Sequence, residues 1–327
     1  MEGLRYDAAL ARRLPGTVSA QMITSLAPFL RRLSDWRHRR RRSRKRLNML
    51  RESDLIILSL GKSGRTWLRA MISNLYHQRH GVPENKLIRF DDFHQHDPAI
   101  PKILFTHDLP RDPWNQRQRW RQHGPAGKEP FHGKRVLLLA RDPRDVAVSM
   151  YFHYAKRSPS ETRARLGLPE DMIRDLSVAE FMLGSQRERL TRYVDVLNTW
   201  AARLRALPGS LMVRYEDLRA EPERELQRIV DAFLGGGFTA EQIQRAVAFA
   251  SLESLREKER QGFFASERLR AGDPSDMDSY KVRQGKVGGW RVHLNAEQAV
   301  RAEAIVARLD PGFGYGRNDR DGCSRRV

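Results

Sequence analysis

The chain is almost free of cysteine. Cys323 is the only one, four residues from the end of 327. That excludes an internal disulfide framework and a zinc site built on cysteines. The scarcity fits a reducing compartment, so a cytoplasmic location is expected. No apolar run reaches the ~18 residues that a spanning helix needs. The opening stretch, MEGLRYDAALARRLPGTVSAQM, has no apolar core and does not have the shape of a secretory leader. Internal repeats are absent, and a single basic run is the only biased segment.

Acidic residues are outnumbered. Sixty Lys and Arg stand against 40 Asp and Glu, a net charge of +20. Such a field attracts polyanions: nucleotides, nucleic acid, anionic lipid or acidic glycans. The charge is uneven. Residues 31–46 read RRLSDWRHRRRRSRKR; of the +20, +9 lies there, which leaves +11 for the other residues. The run reads as a solvated tail, as an anchor to an anionic membrane surface or as a nucleic-acid arm. Ahead of it, Met22, Ile23, Leu26, Phe29, Leu30 and Leu33 fall at helical spacing, which predicts a short amphipathic helix over 17–33. Residues 1–50 are therefore expected to be an appendage.

From Asp54 the pattern changes. Leu55–Leu60 is a continuous apolar run, as expected of a strand buried on both faces. Short strands are also predicted at 102–107, 135–140 and 210–215. Helical periodicity marks 67–76, 146–157, 190–207, 222–234 (ended by Gly235-Gly236-Gly237), 239–259 with Thr239 as N-cap, and 295–309. Residues 260–290 are aperiodic and read as a functional loop. Alternating strands and helices predict an α/β fold: three layers, with a parallel sheet covered on both faces.

Two segments carry chemistry. Gly61-Lys62-Ser63-Gly64-Arg65-Thr66 sits between a buried strand and a helix, where backbone N–H groups and the positive helix end meet. That place suits a phosphate. The loop is not the common nucleotide loop G-x-x-x-x-G-K-[ST], because Lys62 precedes Gly64. No apolar strand clearly ends in an Asp that would hold Mg²⁺; the strand at 135–140 runs into Arg141 instead. A nucleotide bound without metal is the expectation, and a P-loop kinase using ATP and Mg²⁺ is the rival. The second segment, Arg141-Asp142-Pro143-Arg144-Asp145-Val146-Ala147-Val148-Ser149, starts at a strand's C-terminal end, the ligand-bearing edge of an open α/β sheet. Arg141 and Ser149 can share one anion there.

With Tyr215-Glu216-Asp217 and Arg283-Gln284-Gly285-Lys286-Val287-Gly288-Gly289-Trp290-Arg291, these segments resemble the sulfotransferases that use 3′-phosphoadenosine 5′-phosphosulfate (PAPS). Four motifs occur in family order over 54–291. The resemblance implies a P-loop-like three-layer domain over 51–318, a short tail at 319–327, and PAPS as donor. It implies that Lys62 meets the oxygen bridging phosphate and sulfate. Ser63, Gly64, Arg65 and Thr66 would cradle the 5′-phosphate. Trp67 and Tyr215 would lie near the adenine. Arg141 and Ser149 would hold the 3′-phosphate, with Arg283, Gln284 and Gly285 closing over it.

The resemblance also implies a general base. His107 matches the family's catalytic histidine, with Asp108 as the alternative. Lys62, His107 and Ser149 are thus the catalytic candidates. The expected reaction is transfer of a sulfuryl group to a hydroxyl or amine. The acceptor stays open: an anionic glycan, a glycolipid, or a small alcohol or phenol. Peripheral contact with an anionic membrane surface is a second expectation. A purely nucleic-acid-binding or membrane-binding role would leave the four ordered motifs unexplained. The sequence departs from the family pattern at Phe105, Arg65, Gln284 and Gly289, and at an insertion over 111–133 containing Trp114 and Trp120.

Overall fold

The computed structural model describes residues 41, 44, 45, 47–107, 131, 133–161, 173, 175–184, 189–265, 269, 276, 279–282 and 285–315. The chain forms two compact units, Met1–Arg51 and Glu52–Val327. In the first, residues 47–51 are helical. The helix expected over 17–33, most of the basic run, Asp108, Trp114, Trp120, Arg283, Gln284 and residues 319–327 lie outside the described residues.

The second unit is built on four parallel strands: β1 (Leu55–Ser59), β2 (Ile103–Thr106), β3 (Arg135–Ala140) and β4 (Leu211–Arg214), in the spatial order β2-β1-β3-β4. The apolar runs form strands here because both sheet faces are covered. Leu55, Ile57, Leu137, Leu139 and Val213 join one core cluster. Ile56, Leu58, Val136 and Leu138 alternate with them, so they project from the opposite face, and they too are buried.

Helix α1 (Arg65–His80) and the short α2 (Asp92–His96) precede β2; α3 (Pro143–Lys156), α4 (Val178–Leu183) and α5 (Arg189–Leu204) lie between β3 and β4. After β4 come α6 (Tyr215–Ala220), α7 (Pro222–Ile229), α8 (Ala240–Phe249), α9 (Leu252–Arg260) and α10 (Ala296–Val306). Helix α1 buries its whole central stretch, Leu68 to Tyr76, against the sheet. Leu68, Met71, Ile72 and Leu75 are inaccessible there, each contributing about 1.5–3 kcal/mol of burial.

Three expectations need correction. Helix α3 starts at Pro143, earlier than the expected Val146. Asp142 caps it, its carboxylate accepting from the Arg144 N–H at 2.8 Å, and proline suits the first helical position. The helix expected over 239–259 is two helices. Thr239 caps α8 as expected, but Ser251 accepts from the Ser254 N–H at 3.1 Å and starts α9. Tyr215 is not the last residue of β4 but the first of α6. Among the described residues, no helix is long and apolar enough to cross a membrane.

Candidate active site

Parallel register brings the strand ends together. Leu58 pairs with Thr106, Ser59 with Leu139 and Ala140 with Arg214. The next residue or two of each strand therefore emerge at one edge: Gly61 after β1, His107 after β2, Arg141 after β3 and Tyr215 after β4. All four line a single cavity of about 500 Å³.

The loop after β1 turns sharply. Lys62 has φ 69° and Gly64 φ 86°. The left-handed conformation costs a lysine roughly 1–3 kcal/mol, and the Lys62 carbonyl is held in place by the Arg141 Nη1 donor at 2.9 Å. Glycine is required at 64 for a further reason. A Cβ there would lie 2.5 Å from the Tyr215 ring. Gly64 also precedes α1, whose first turn has no side-chain cap and no acidic residue. The N–H groups of that turn and the positive helix end are thus left for an anion.

Arg141 is a strut between distant segments. While Nη1 donates to Lys62, Nη2 donates to the Lys286 carbonyl at 2.9 Å, and the guanidinium stacks 4.3 Å from the centre of the Tyr215 ring. Its Nε is buried with no hydrogen-bond partner. Tyr215 meets Trp67 edge-on at 5.8 Å, and Arg219 lies over Trp67. Burial pushes the Tyr215 phenol up, against Arg141 and Arg219.

His107 has a defined hydrogen-bonding role. Its Nδ1 is 2.9 Å from the Ser59 carbonyl. A carbonyl only accepts, so Nδ1 carries the proton and the neutral ring has its lone pair on Nε2. The same parallel register that aligns β1 with β2 fixes this contact.

The segment after α9 closes the cavity. Glu259, buried, accepts from the N–H groups of Lys281 at 2.7 Å and Val282 at 3.1 Å. Asp145, also buried, accepts from Gly288 at 2.7 Å and Trp290 at 3.0 Å. Burial pushes the Asp145 carboxyl up, with Arg141 and these N–H groups opposing. Of the two aspartates, Asp142 takes the arginine pairing, to Arg144 at 2.7 Å, and Asp145 holds backbone.

The expected residues gather accordingly. Lys62, Gly64, Arg65, Thr66, Trp67, His107, Arg141, Ser149, Tyr215 and Gly285 all line the cavity. Ser63 does not; its hydroxyl is buried without a hydrogen-bond partner, so only its backbone can serve the site. Glu216 is structural: its carboxylate accepts from the Asp142 N–H at 3.0 Å and the Tyr315 hydroxyl at 2.6 Å. Sequence reasoning missed His153, Lys281 and Lys286 on the wall. His153 is detectable in retrospect as Ser149 plus one helical turn. Burial, with Lys62, Lys281 and Arg157 nearby, lowers its pKa to about 3.

The model of the sulfotransferase domain family matches residues 52–309, most of the chain and all of the cavity wall. The chain belongs to the sulfotransferase domain family. Its relatives are distant. Cytosolic sulfotransferase 16 of Arabidopsis thaliana is 29% identical over 272 residues, 78% of this chain and 75% of that protein. Cytosolic sulfotransferase 13 of the same plant is 26% identical over 263 residues, 74% of this chain and 72% of its own. A solved mouse sulfotransferase complexed with PAP is similar at 17% identity and a TM-score of 0.49, covering 79% of this chain and 84% of that one. In this sulfotransferase, among the described residues, no group of three or more His, Cys, Asp or Glu is placed to hold a metal ion.

Proposed function

We propose that the cavity binds PAPS and passes its sulfuryl group to an acceptor hydroxyl. One observation carries the reading: an uncapped helix start, Lys62, Arg141 and His107 face one cavity at the C-terminal edge of the sheet. The chemistry of the donor set fits a polyanionic nucleotide. The backbone of Ser63 and Gly64 and the side chains of Arg65 and Thr66 suit its 5′-phosphate. Arg141 can take the 3′-phosphate without giving up its strut role, because a guanidinium has five donors and only two are engaged by backbone carbonyls. Ser149 and the 283–285 segment complete that subsite in this reading. Trp67 and Tyr215 offer a flat apolar wall for the base.

PAPS supplies the activated sulfuryl group. The acceptor oxygen forms a bond to sulfur as the bond from sulfur to the bridging oxygen breaks. His107 Nε2 takes the hydroxyl proton. The Lys62 ammonium balances negative charge as it grows on the departing phosphate oxygen. Holding donor and acceptor in line supplies much of the remaining rate.

The test is thermal stabilisation by 3′,5′-adenosine bisphosphate without metal, against ATP with Mg²⁺ and against AMP. A ligand at 100 times its Kd adds about 2.7 kcal/mol when it binds only the folded state. Stabilisation by the bisphosphate alone is expected. Stabilisation by ATP with Mg²⁺ and not by the bisphosphate would make the kinase the better account.

A further inference from the structure

The phosphate loop separates two neighbourhoods of the cavity. Gly64 faces the Tyr215 ring, with Trp67 beside it. Gly61 faces the other way: a Cβ there would lie 2.7 Å from Met150 Cε and 4.0 Å from His107 Cε1. With the PAPS nucleotide in the first lobe, the second is left for the acceptor, so the acceptor's surroundings rest on that placement of the donor.

His153 lines this second lobe, one helical turn beyond Ser149 on α3. Its Nδ1 is buried without a hydrogen-bond partner, and its Nε2 is 3.4 Å from Ser158 Oγ. The charges of Lys62, Lys281 and Arg157 all act on the ring and disfavour its protonation. The wall as a whole is one-sided. Among the described residues, Lys62, Arg65, Arg141, Arg219, Lys281 and Lys286 line it against one carboxylate, Asp145. Both Asp145 oxygens are already engaged by backbone N–H groups.

We propose that His153 and Lys281 set acceptor selectivity: the lobe takes a hydroxyl acceptor bearing a second, uncharged hydrogen-bonding group and rejects one bearing an ammonium. An ammonium there would lose its water among like charges, with no carboxylate on the described wall to receive it. A hydroxyl can instead pair with the imidazole nitrogen that lacks a partner. A site built around such a nitrogen discriminates against ligands that leave it unpaired.

Tyrosol and tyramine test this directly. They share a phenol and a two-carbon tether and end in a hydroxyl or an ammonium. With full-length protein and PAPS, kcat/KM for tyrosol should exceed that for tyramine about tenfold or more, the ratio that ~1.4 kcal/mol produces. Lys281→Glu should shrink or invert the ratio. His153→Phe should raise the KM for tyrosol and leave kcat little changed. Equal kcat/KM values in the wild type, or a ratio that neither substitution moves, would overturn the proposal. Bisphosphate thermal shifts accompany every variant. A normal wild-type shift with transfer to neither probe refutes the acceptor inference and leaves the donor reading standing. No wild-type shift refutes the donor reading and this inference with it.

Discussion

Acid should destabilise the protein through His153. The folded protein holds this ring neutral down to about pH 3, because it is buried and faces Lys62, Lys281 and Arg157. The unfolded chain takes up the proton near the ordinary value of 6.5. A histidine whose pKa falls on folding contributes stability that is present above the unfolded value. That stability is lost as pH falls through the window from 6.5 towards 3. One pKa unit is worth about 1.36 kcal/mol. Going from pH 8 to pH 5 reaches about 1.5 units below the unfolded value, so this one residue costs about 2 kcal/mol. For a domain of this size that lowers Tm by roughly 4 °C. Carboxylates also respond to the change, so the measurement is a difference. Urea unfolding of wild type and His153→Gln at both pH values isolates the ring, since glutamine keeps polarity without titrating. The wild type should lose about 2 kcal/mol more than the variant. Equal losses would show that His153 is not held neutral by its surroundings.

Three further outcomes are expected. Gly64→Ala combines a positive φ with a Cβ 2.5 Å from the Tyr215 ring, so it should cost roughly 1–3 kcal/mol of stability and weaken bisphosphate binding; calorimetry showing both intact would remove the steric argument. Arg141→Lys keeps the charge but not the fork that spans Lys62 and Lys286, and bisphosphate affinity should fall at least about tenfold; unchanged titration isotherms would deny the strut its role. His107→Ala should lower kcat about 10²–10⁴-fold with bisphosphate binding retained, and a loss under tenfold would move the base elsewhere.

Much of this architecture was legible in the residues. The apolar runs at 55–60 and 135–140 are strands because burial on both faces removes any need for alternation. The glycine and lysine of the first loop, and Arg141 at a strand tip, announced a phosphate edge because backbone placement follows directly from strand–loop–helix order. The break at Ser251 was not readable: the apolar spacing runs on through it, and only the cap geometry interrupts the helix. Tyr215 looked like strand because aromatic residues favour strands, whereas its ring is needed against Gly64. His153 was overlooked because its importance comes from Lys281, far away in sequence, and no local pattern reports such a neighbour. Asp145 likewise looked like an arginine partner until the 288–290 backbone arrived to claim it.

The sheet has a consequence for how the protein is made. Leu55 pairs with Ile103 and Arg135, and Leu137 with Leu211, so every strand waits for a partner synthesised dozens of residues away. Such non-local pairing is slow. Until it happens, Leu55-Ile56-Ile57-Leu58 and Val136-Leu137-Leu138-Leu139 are bare β-prone segments without a single charge, able to pair with the same segment of another chain. Yield of soluble protein should therefore depend on slowing synthesis relative to folding, as cooling the expressing cells does, more than on any change to the finished surface.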